Sequence, residues 1–269
     1  MTVDYVVESY LCLQLSDLLN DDYSTKQTLK CKKSAGPVAV TIETTRGEGG
    51  ALSSKIGTKF NYGKLNVDKA QATADGGKVF ETSLAVAPGT KVSFKSGKGA
   101  DLGIDYTKGN LYATGTLDVL EMSKFSTSAC VSLPSGIKAG ADATYGLSGK
   151  TGVTSLNAGA SYATGSLFGA VTSTNKFSSV NLGLLYTVNS KVTVASLSSH
   201  SGENALNLTA LGGSYKADFG TIKAKYAAGG VVSASLIKDI APKVTLTASG
   251  SASASDPSST FKYGLGITM

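Results

Sequence analysis

The feature that most constrains the fold is a succession of short segments in which apolar and polar residues alternate. From Tyr23 onward these segments follow one another about every 13 residues, separated by Gly, Asn, Asp, Ser or Pro turns. Within one of them, Val40 and Ile42 alternate with Thr41 and Glu43. A period of two indicates a β-strand with one apolar and one polar face.

About nineteen such segments can be counted, and strands of about 9 to 11 residues suit a tilted crossing of a bilayer. A soluble sandwich would need a large core of Leu, Ile and Phe between two sheets, whereas the polar faces here carry Lys, Thr, Ser and Gly. A closed barrel presents its apolar face to lipid and its polar face to water, with no free edge. The sequence therefore predicts an all-β, 19-stranded transmembrane β-barrel. Tyrosines near the predicted strand ends suit an interfacial girdle: Tyr62, Tyr106, Tyr145, Tyr162, Tyr186 and Tyr226.

The composition gives an enzyme little support. The chain has 32 Gly, one His and only 16% charged residues, and no run of about 18 apolar residues that would predict a transmembrane helix. His200 falls in a predicted turn with no nucleophile motif nearby. Three cysteines, Cys12, Cys31 and Cys130, lack metal-binding spacing. We expect neither catalysis, nor a metal site, nor a cofactor.

The first 22 residues differ from the rest, because their apolar residues recur at helical spacing. The sequence thus divides into an amphipathic helix over residues 1–22 and a barrel over residues 23–269. The helix has no Lys or Arg and carries Asp4, Glu8 and Asp17. It lacks the basic start of a secretory signal, and we expect it to be retained. An acidic helix suits a basic lumen wall better than a membrane surface, where helices usually carry Lys or Arg.

The net charge is +6, and Arg46 is the only arginine. Lysines spread along the whole chain do not indicate nucleic-acid binding, which favours clustered Arg and aromatic residues. An excess of lumenal lysines over about six acids (Glu43, Glu81, Asp101, Asp105, Asp118 and Asp142) predicts a preference for chloride, phosphate, ATP and ADP. The alternative is that the lysines solvate the lumen without discriminating between ions. Strand parity, the alternation of side chains between the two faces of each predicted strand, places these lysines in the lumen: Lys26, Lys30, Lys32, Lys55, Lys59, Lys91, Lys95, Lys124, Lys138, Lys223, Lys225 and Lys243.

Several segments resemble the voltage-dependent anion channel family, the mitochondrial porins. Asp17-Leu18-Leu19 followed by Tyr23 is similar to the end of the family's helix, residues 87–94 resemble its Gly-Leu-Lys strand with Thr90 in place of Leu, and residues 241–247 resemble its penultimate strand. The C-terminus fits the pattern polar-x-Gly-x-x-hydrophobic-x-hydrophobic, which resembles the mitochondrial sorting signal. The matching residues are Lys262, Gly264, Ile267 and Met269.

The resemblance implies an N-terminal helix inside the lumen of a nineteen-stranded barrel. With an odd number of strands, the last strand should close the barrel by pairing parallel with the first, near residues 26–32. The implied function is a voltage-gated, weakly anion-selective channel of the mitochondrial outer membrane for passive diffusion of metabolites. Its acidic helix residues Asp4, Glu8 and Asp17 would belong to the gate. Membrane lipid would surround it, and a homo-oligomer or association with other mitochondrial membrane proteins is left open.

Two residues depart from the family pattern. The family often has a lipid-facing Glu on the fourth strand, but Leu65 and Val67 imply that Asp68 faces the lumen. Thr90 weakens any nucleotide contact expected at that strand. Other functions also remain open: a mitochondrial protein-import channel of the same barrel fold, which should show acidic lumen patches, a bacterial general porin, and a soluble β-rich binding protein.

Overall fold

Nineteen strands close into one barrel in the computed structural model, which describes residues 13–149, 151–174, 176–202 and 207–269. Each strand pairs antiparallel with the next, and β1 pairs parallel with β19. The strands are β1 (Gln27–Ala35), β2 (Val38–Arg46), β3 (Leu52–Tyr62), β4 (Leu65–Thr73), β5 (Lys78–Ala87), β6 (Thr90–Ser96), β7 (Ala100–Lys108), β8 (Leu111–Asp118), β9 (Lys124–Ser132), β10 (Ile137–Gly146), β11 (Gly152–Thr164), β12 (Leu167–Thr174), β13 (Ser179–Thr187), β14 (Val192–Ser201), β15 (Asn207–Ala217), β16 (Gly220–Ala227), β17 (Val231–Ala241), β18 (Val244–Ser253) and β19 (Lys262–Thr268).

The two ends of the barrel differ in their connections. At one end, which we call the short-turn rim, most connections are two-residue turns, and the chain terminates there after β19. These turns join β1 to β2, β3 to β4, and so on to β17 and β18. At the other end, the long-loop rim, the connections are longer, and the chain enters β1 from this side. Because successive strands run in opposite directions, every connection from an odd-numbered to an even-numbered strand lies at the short-turn rim, and every other connection lies at the long-loop rim.

The two faces of the sheet have different chemistry. Ser126 and Asp142 are 3% and 2% exposed, whereas Phe125 and Leu184 are 40% and 44% exposed. Side chains on the concave face of a barrel crowd one another, while those on the convex face splay apart. The polar residues therefore line the interior, and the apolar residues form an outer surface suited to lipid. The six tyrosines predicted for the girdle are all exposed on this outer surface.

The interior holds a short helix, α1 (Leu13–Leu19). Leu15, Leu18 and Leu19 are buried against Leu185 of β13 and Ala195 of β14, the main apolar cluster on the inner face. A second helix of one turn, α2 (Pro257–Thr260), lies in the loop between β18 and β19 and is capped by Asp256. Neither described helix has the length and apolar character needed to cross a membrane.

The seam between the first and last strands confirms the predicted parallel closure. Residues 27–30 of β1 are in register with residues 265–268 of β19. Beyond these pairs, the backbone N–H of Lys32 donates to the carbonyl of Met269 at 2.6 Å. At the long-loop rim, Glu48 accepts a hydrogen bond from the Lys262 ammonium at 2.6 Å, which ties the β2–β3 loop to β19. Because Lys262 and Thr25 donate hydrogen bonds to it, the pKa of the Glu48 carboxyl is lowered.

Several sequence predictions need correction. The described part of the predicted helix of residues 1–22 is helical over Leu13–Leu19 and ends before Asn20, while residues 1–12 lie outside the described residues; α2 was not predicted. The alternation of residues in this segment of the sequence predicts Leu208 and Ala210 on one face, but an irregularity in the β14–β15 register lets Ala210 pack beside α1 while Leu208 stays on the outer face. His200 lies within β14, not in a turn.

Candidate functional site: the barrel lumen

Most of the lysines predicted to line the lumen do lie on its wall. Lys243 is an exception, because it occupies the β17–β18 turn with a φ of 67° instead of a strand position. Lys26 immediately precedes β1. Two inner-face lysines were missed: Lys69, in register with Glu81, and Lys216, in register with Thr221. The predicted lysines on inner-face strand positions are Lys30, Lys32, Lys55, Lys59, Lys91, Lys95, Lys124, Lys138, Lys223 and Lys225.

The densest positive charge lies on β1–β3. Here the inner face carries four lysines, Lys30, Lys32, Lys55 and Lys59, and one acid, Glu43, and we call these four lysines the basic wall. The Glu43 carboxylate lies 2.6 Å from the Lys55 ammonium and 3.3 Å from that of Lys30. No carboxylate of the described residues forms a salt bridge with Lys32 or Lys59. Two exposed ammonium groups of the basic wall are therefore available to anions in the lumen.

The neighbouring wall, from β4 to β7, is closer to neutral. The Lys91 ammonium lies 3.7 Å from Asp68, and the Lys95 ammonium lies 3.4 Å from Glu81. The predicted inner acids Asp101 and Asp105 stand opposite these same two lysines in the β6–β7 register. Positive and negative groups alternate here, so this wall neutralises much of its own charge.

Asp68 faces the lumen, as Leu65 and Val67 implied. On the inner face the Ser83 hydroxyl donates to the Asp68 carboxylate, and the break in the β4–β5 register between Val67 and Lys69 brings Lys69 to the same face. The lipid-facing carboxylate typical of the family is therefore not reproduced by this residue.

The described part of α1 is anchored through its C-terminal carbonyl groups. The Lys223 ammonium donates to the carbonyl of Asp17 at 3.0 Å and to the Asp22 carboxylate at 2.6 Å. The Lys225 ammonium donates to the carbonyl of Leu19 at 2.8 Å. Cations at this end of a helix also interact favourably with its dipole. The exposed Asp17 side chain is not the group that Lys223 binds, and Asp4 and Glu8 lie outside the described residues.

Tyr23 completes this anchor. Its hydroxyl donates to the carbonyl of Leu18 at 3.1 Å, and its ring centroid lies 4.6 Å from the Lys225 ammonium. Burial, with a smaller contribution from the Asp22 carboxylate, raises the pKa of the Tyr23 phenol to about 12. The pKa of the neighbouring Asp21 carboxyl is also raised, first by burial and then by the charges of Asp17 and Asp22. The tyrosine thus stays a hydrogen-bond donor at neutral pH.

Two of the predicted lumenal acids are engaged in local structure. Asp118 accepts hydrogen bonds from the backbone N–H groups of Leu120 and Glu121 and from Ser123, which shapes the β8–β9 loop. Asp142 is buried and accepts a hydrogen bond from the Asn157 side chain at 2.8 Å. Hydrogen bonds stabilise such buried carboxylates and limit their exposure to ions in the pore.

The residues of the predicted sorting signal form the closing strand. Lys262, Gly264 and Ile267 belong to β19, and Met269 follows it. The carbonyl oxygens of Ser24 and Lys26 approach Gly264 so closely that a Cβ atom there would collide with them. This close approach explains why glycine occupies position 264, whether or not the residue is also part of a targeting signal.

Metal-site chemistry is not found in the described part of the chain. No group of three His, Cys, Asp or Glu side chains there could hold a metal ion. Cys31 and Cys130 are free thiols, and Cys12 lies outside the described residues.

Comparisons with known proteins agree with this geometry. A doubly substituted variant of the porin from Rhodopseudomonas blastica superimposes with a TM-score of 0.52 and 12% identity, covering 88% of this chain and 94% of that one. A triply substituted variant of the same porin gives a TM-score of 0.51 at 12% identity over 79% and 88% of the two chains. At such identities the likeness shows the fold alone. A search of curated proteins returned no match.

A closed barrel with an apolar exterior and a polar lumen is a channel of the porin type, spanning an outer membrane. The family described as eukaryotic porin matches residues 11–264, so the chain belongs to that family, the one of the voltage-dependent anion channels. Its members are channel proteins and not enzymes.

Proposed function

We propose that this chain is a voltage-gated, weakly anion-selective channel of the mitochondrial outer membrane, through which ATP, ADP, phosphate and small ions diffuse passively. The observation that carries the proposal is the basic wall, four inner-face lysines on β1 and β3 with the carboxylate of Glu43 as the one acid on β1–β3. Its positive potential raises the local concentration of anions and lowers that of cations.

The position of α1 supports this proposal. The helix contacts β13, β14 and β15, whereas the basic wall lies on β1–β3, well round the barrel. The described helix therefore leaves the basic wall open to the lumen. Salt at physiological strength screens exposed charges beyond about 8 Å, so the wall acts on ions close to it and lets others pass. A weak preference, not strict exclusion of cations, follows from that range.

The protein-import alternative fits the basic wall poorly. A channel for cationic presequences would favour an acidic lumen, whereas β1–β3 present the opposite charge. A lumen whose lysines only solvate the wall is the other alternative, and measurement of ion selectivity distinguishes it from our proposal.

The test is the reversal potential of single channels in a planar bilayer that separates two KCl concentrations. We expect the sign of the wild-type reversal potential to indicate a modest preference for chloride over potassium. The double variant Lys32→Glu/Lys59→Glu should shift the reversal potential towards cation preference, because it reverses the two charges without a salt bridge. Lys33→Glu is the matched control, since Lys33 is adjacent in sequence but lies on the outer face opposite Val40.

Each part of this experiment has a contradicting result. A cation-selective or non-selective wild-type channel would overturn the proposal. So would a shift in Lys33→Glu as large as that in the double variant, because it would mean that charge anywhere near the rim sets selectivity.

A further inference from the structure

Charge is distributed unequally over the outside of the two rims. At the short-turn rim, six exposed lysines lie in turns or on outer-face strand positions, and two exposed acids of the described residues lie there, Asp218 and Asp239. The Asp218 carboxylate lies 3.2 Å from the ammonium of one of the six, Lys191. We call these six lysines the basic rim. They are Lys33, Lys64, Lys108, Lys191, Lys238 and Lys243.

Three of these lysines project from the lipid-facing side of strands, as the register shows. Lys33 stands opposite Val40, Lys108 opposite Leu111, and Lys238 opposite Leu246. Each partner belongs to the apolar outer face. A lysine at the end of such a strand can lay its methylene chain along apolar surface and extend its ammonium to the headgroup layer.

The other three lysines lie in the turns themselves. Lys64 lies in the β3–β4 turn, Lys191 precedes β14, and Lys243 precedes β18. Exposed apolar side chains occupy the same rim, including Tyr62, which is 77% exposed, and Phe219, which is 55% exposed. Apolar and aromatic tips beside lysines are suited to the boundary between hydrocarbon and headgroups.

The long-loop rim has a different balance. Among the described residues there, five cations (Arg46, Lys78, Lys98, Lys176 and Lys262) accompany four acids (Glu48, Asp75, Glu121 and Asp256), and Lys262 pairs with Glu48. Lys78 occupies an outer-face position opposite Ala72, and Lys98 and Lys176 lie in loops. The short-turn rim thus has six cations and two acids, whereas the long-loop rim has five cations and four acids, so the two rims offer similar numbers of cations but different net charges.

We infer that the basic rim binds the phosphate headgroups of anionic phospholipids, so that this end of the barrel associates with an anionic leaflet. The six lysines come from β1, the β3–β4 turn, β7, the β13–β14 turn and the β17–β18 hairpin, which holds both Lys238 and Lys243. Lysines near a membrane surface attract anionic lipid, and salt weakens that attraction. The opposite rim, where acids nearly match the cations, attracts anionic lipid less.

The test measures which lipids surround the intact reconstituted barrel. The full chain is placed in phosphatidylcholine bilayers that contain a trace of spin-labelled phosphatidylglycerol or spin-labelled phosphatidylcholine, and electron spin resonance gives the relative association of each lipid with the protein. The variant Lys33→Gln/Lys108→Gln/Lys238→Gln removes three cations of the basic rim. The matched control Lys78→Gln/Lys98→Gln/Lys176→Gln removes three cations of the opposite rim.

We expect the wild type to prefer phosphatidylglycerol by roughly threefold or more at low salt, and the basic-rim variant to lose most of that preference. The control variant should retain it. Adding inorganic phosphate at matched ionic strength should leave the preference intact, because the site is the lipid–water boundary and not a pocket for the free anion.

Three results would overturn the inference: no preference in the wild type, equal losses in the two variants, or competition by inorganic phosphate. The shift in gel mobility of the unheated barrel, compared for all three proteins, shows that each variant remains folded.

Discussion

At the scale of single residues, Gly264 lies where the segment before β1 packs tightly against β19 at the barrel seam. The segment that leads from α1 into β1 crosses the inner face of β19, and the carbonyl oxygens of Ser24 and Lys26 lie against Gly264. The Ser249 hydroxyl donates to the same Ser24 carbonyl. No side chain fits between β19 and this crossing segment without moving one of them.

Gly264→Ala is therefore expected to destabilise the barrel by about 1–3 kcal/mol, the usual range for overpacking a tight site. The measurement is urea unfolding in detergent, followed by circular dichroism. Gly266→Ala is the matched control on the same strand, because a Cβ atom there would meet Thr247 at an ordinary distance of 3.7 Å. Equal stabilities for the two variants would show that the crossing segment is not packed as described.

Strand parity placed most lumen residues correctly from the sequence alone, because the side-chain period of a strand is fixed at two. It failed where the backbone interrupts that period. Ala210 changed faces at a register irregularity, and Lys243 fell in a turn. Lys69 was missed because the register break between Val67 and Lys69 puts it on the same face as its neighbour Asp68. A bulge adds one residue without a distinctive sequence, so parity cannot be carried across it.

At the scale of elements, α1 is the one described helix that contacts the lumen wall of several strands. Sequence periodicity indicated the helix, and its acidic character suggested ion pairs with a basic wall. In the described residues, the helix leucines pack against Leu185 and Ala195, and the Lys223 and Lys225 ammonium groups donate to carbonyl groups at the end of the helix. One ion pair accompanies them, between Lys223 and Asp22. Backbone carbonyl groups occur in every residue, and the sequence therefore could not indicate that they, rather than Asp17, would bind the lysines.

This attachment predicts which substitution loosens the helix. Leu19 is 2% exposed, so Leu19→Ala should weaken docking by about 2 kcal/mol and speed hydrogen exchange of the α1 amides roughly 30-fold. Hydrogen exchange of the barrel in detergent, read by mass spectrometry, measures this. Asp17→Asn is the control, because Lys223 binds the Asp17 carbonyl and not its exposed carboxylate. Faster exchange in Asp17→Asn than in Leu19→Ala would contradict the attachment described.

At the scale of the whole molecule, the strand number and the closure were predictable because they depend on repetition and not on any single residue. An odd count of amphipathic strands can close only with one parallel pair, and β1 and β19 form it. The distribution of charge over the two rims was not predicted, since it emerges only when the turns are assigned to ends of the barrel.

The central claim is that the inner face of these strands lines a water-filled pore. The most direct test compares neighbouring residues of β2, Thr41 on the inner face and Ile42 on the outer, each changed to Cys in a chain whose Cys12, Cys31 and Cys130 are replaced by Ala. An anionic, water-soluble methanethiosulfonate is then added during single-channel recording. We predict that conductance changes in Thr41→Cys and stays constant in Ile42→Cys. A response in Ile42→Cys with none in Thr41→Cys would contradict the account.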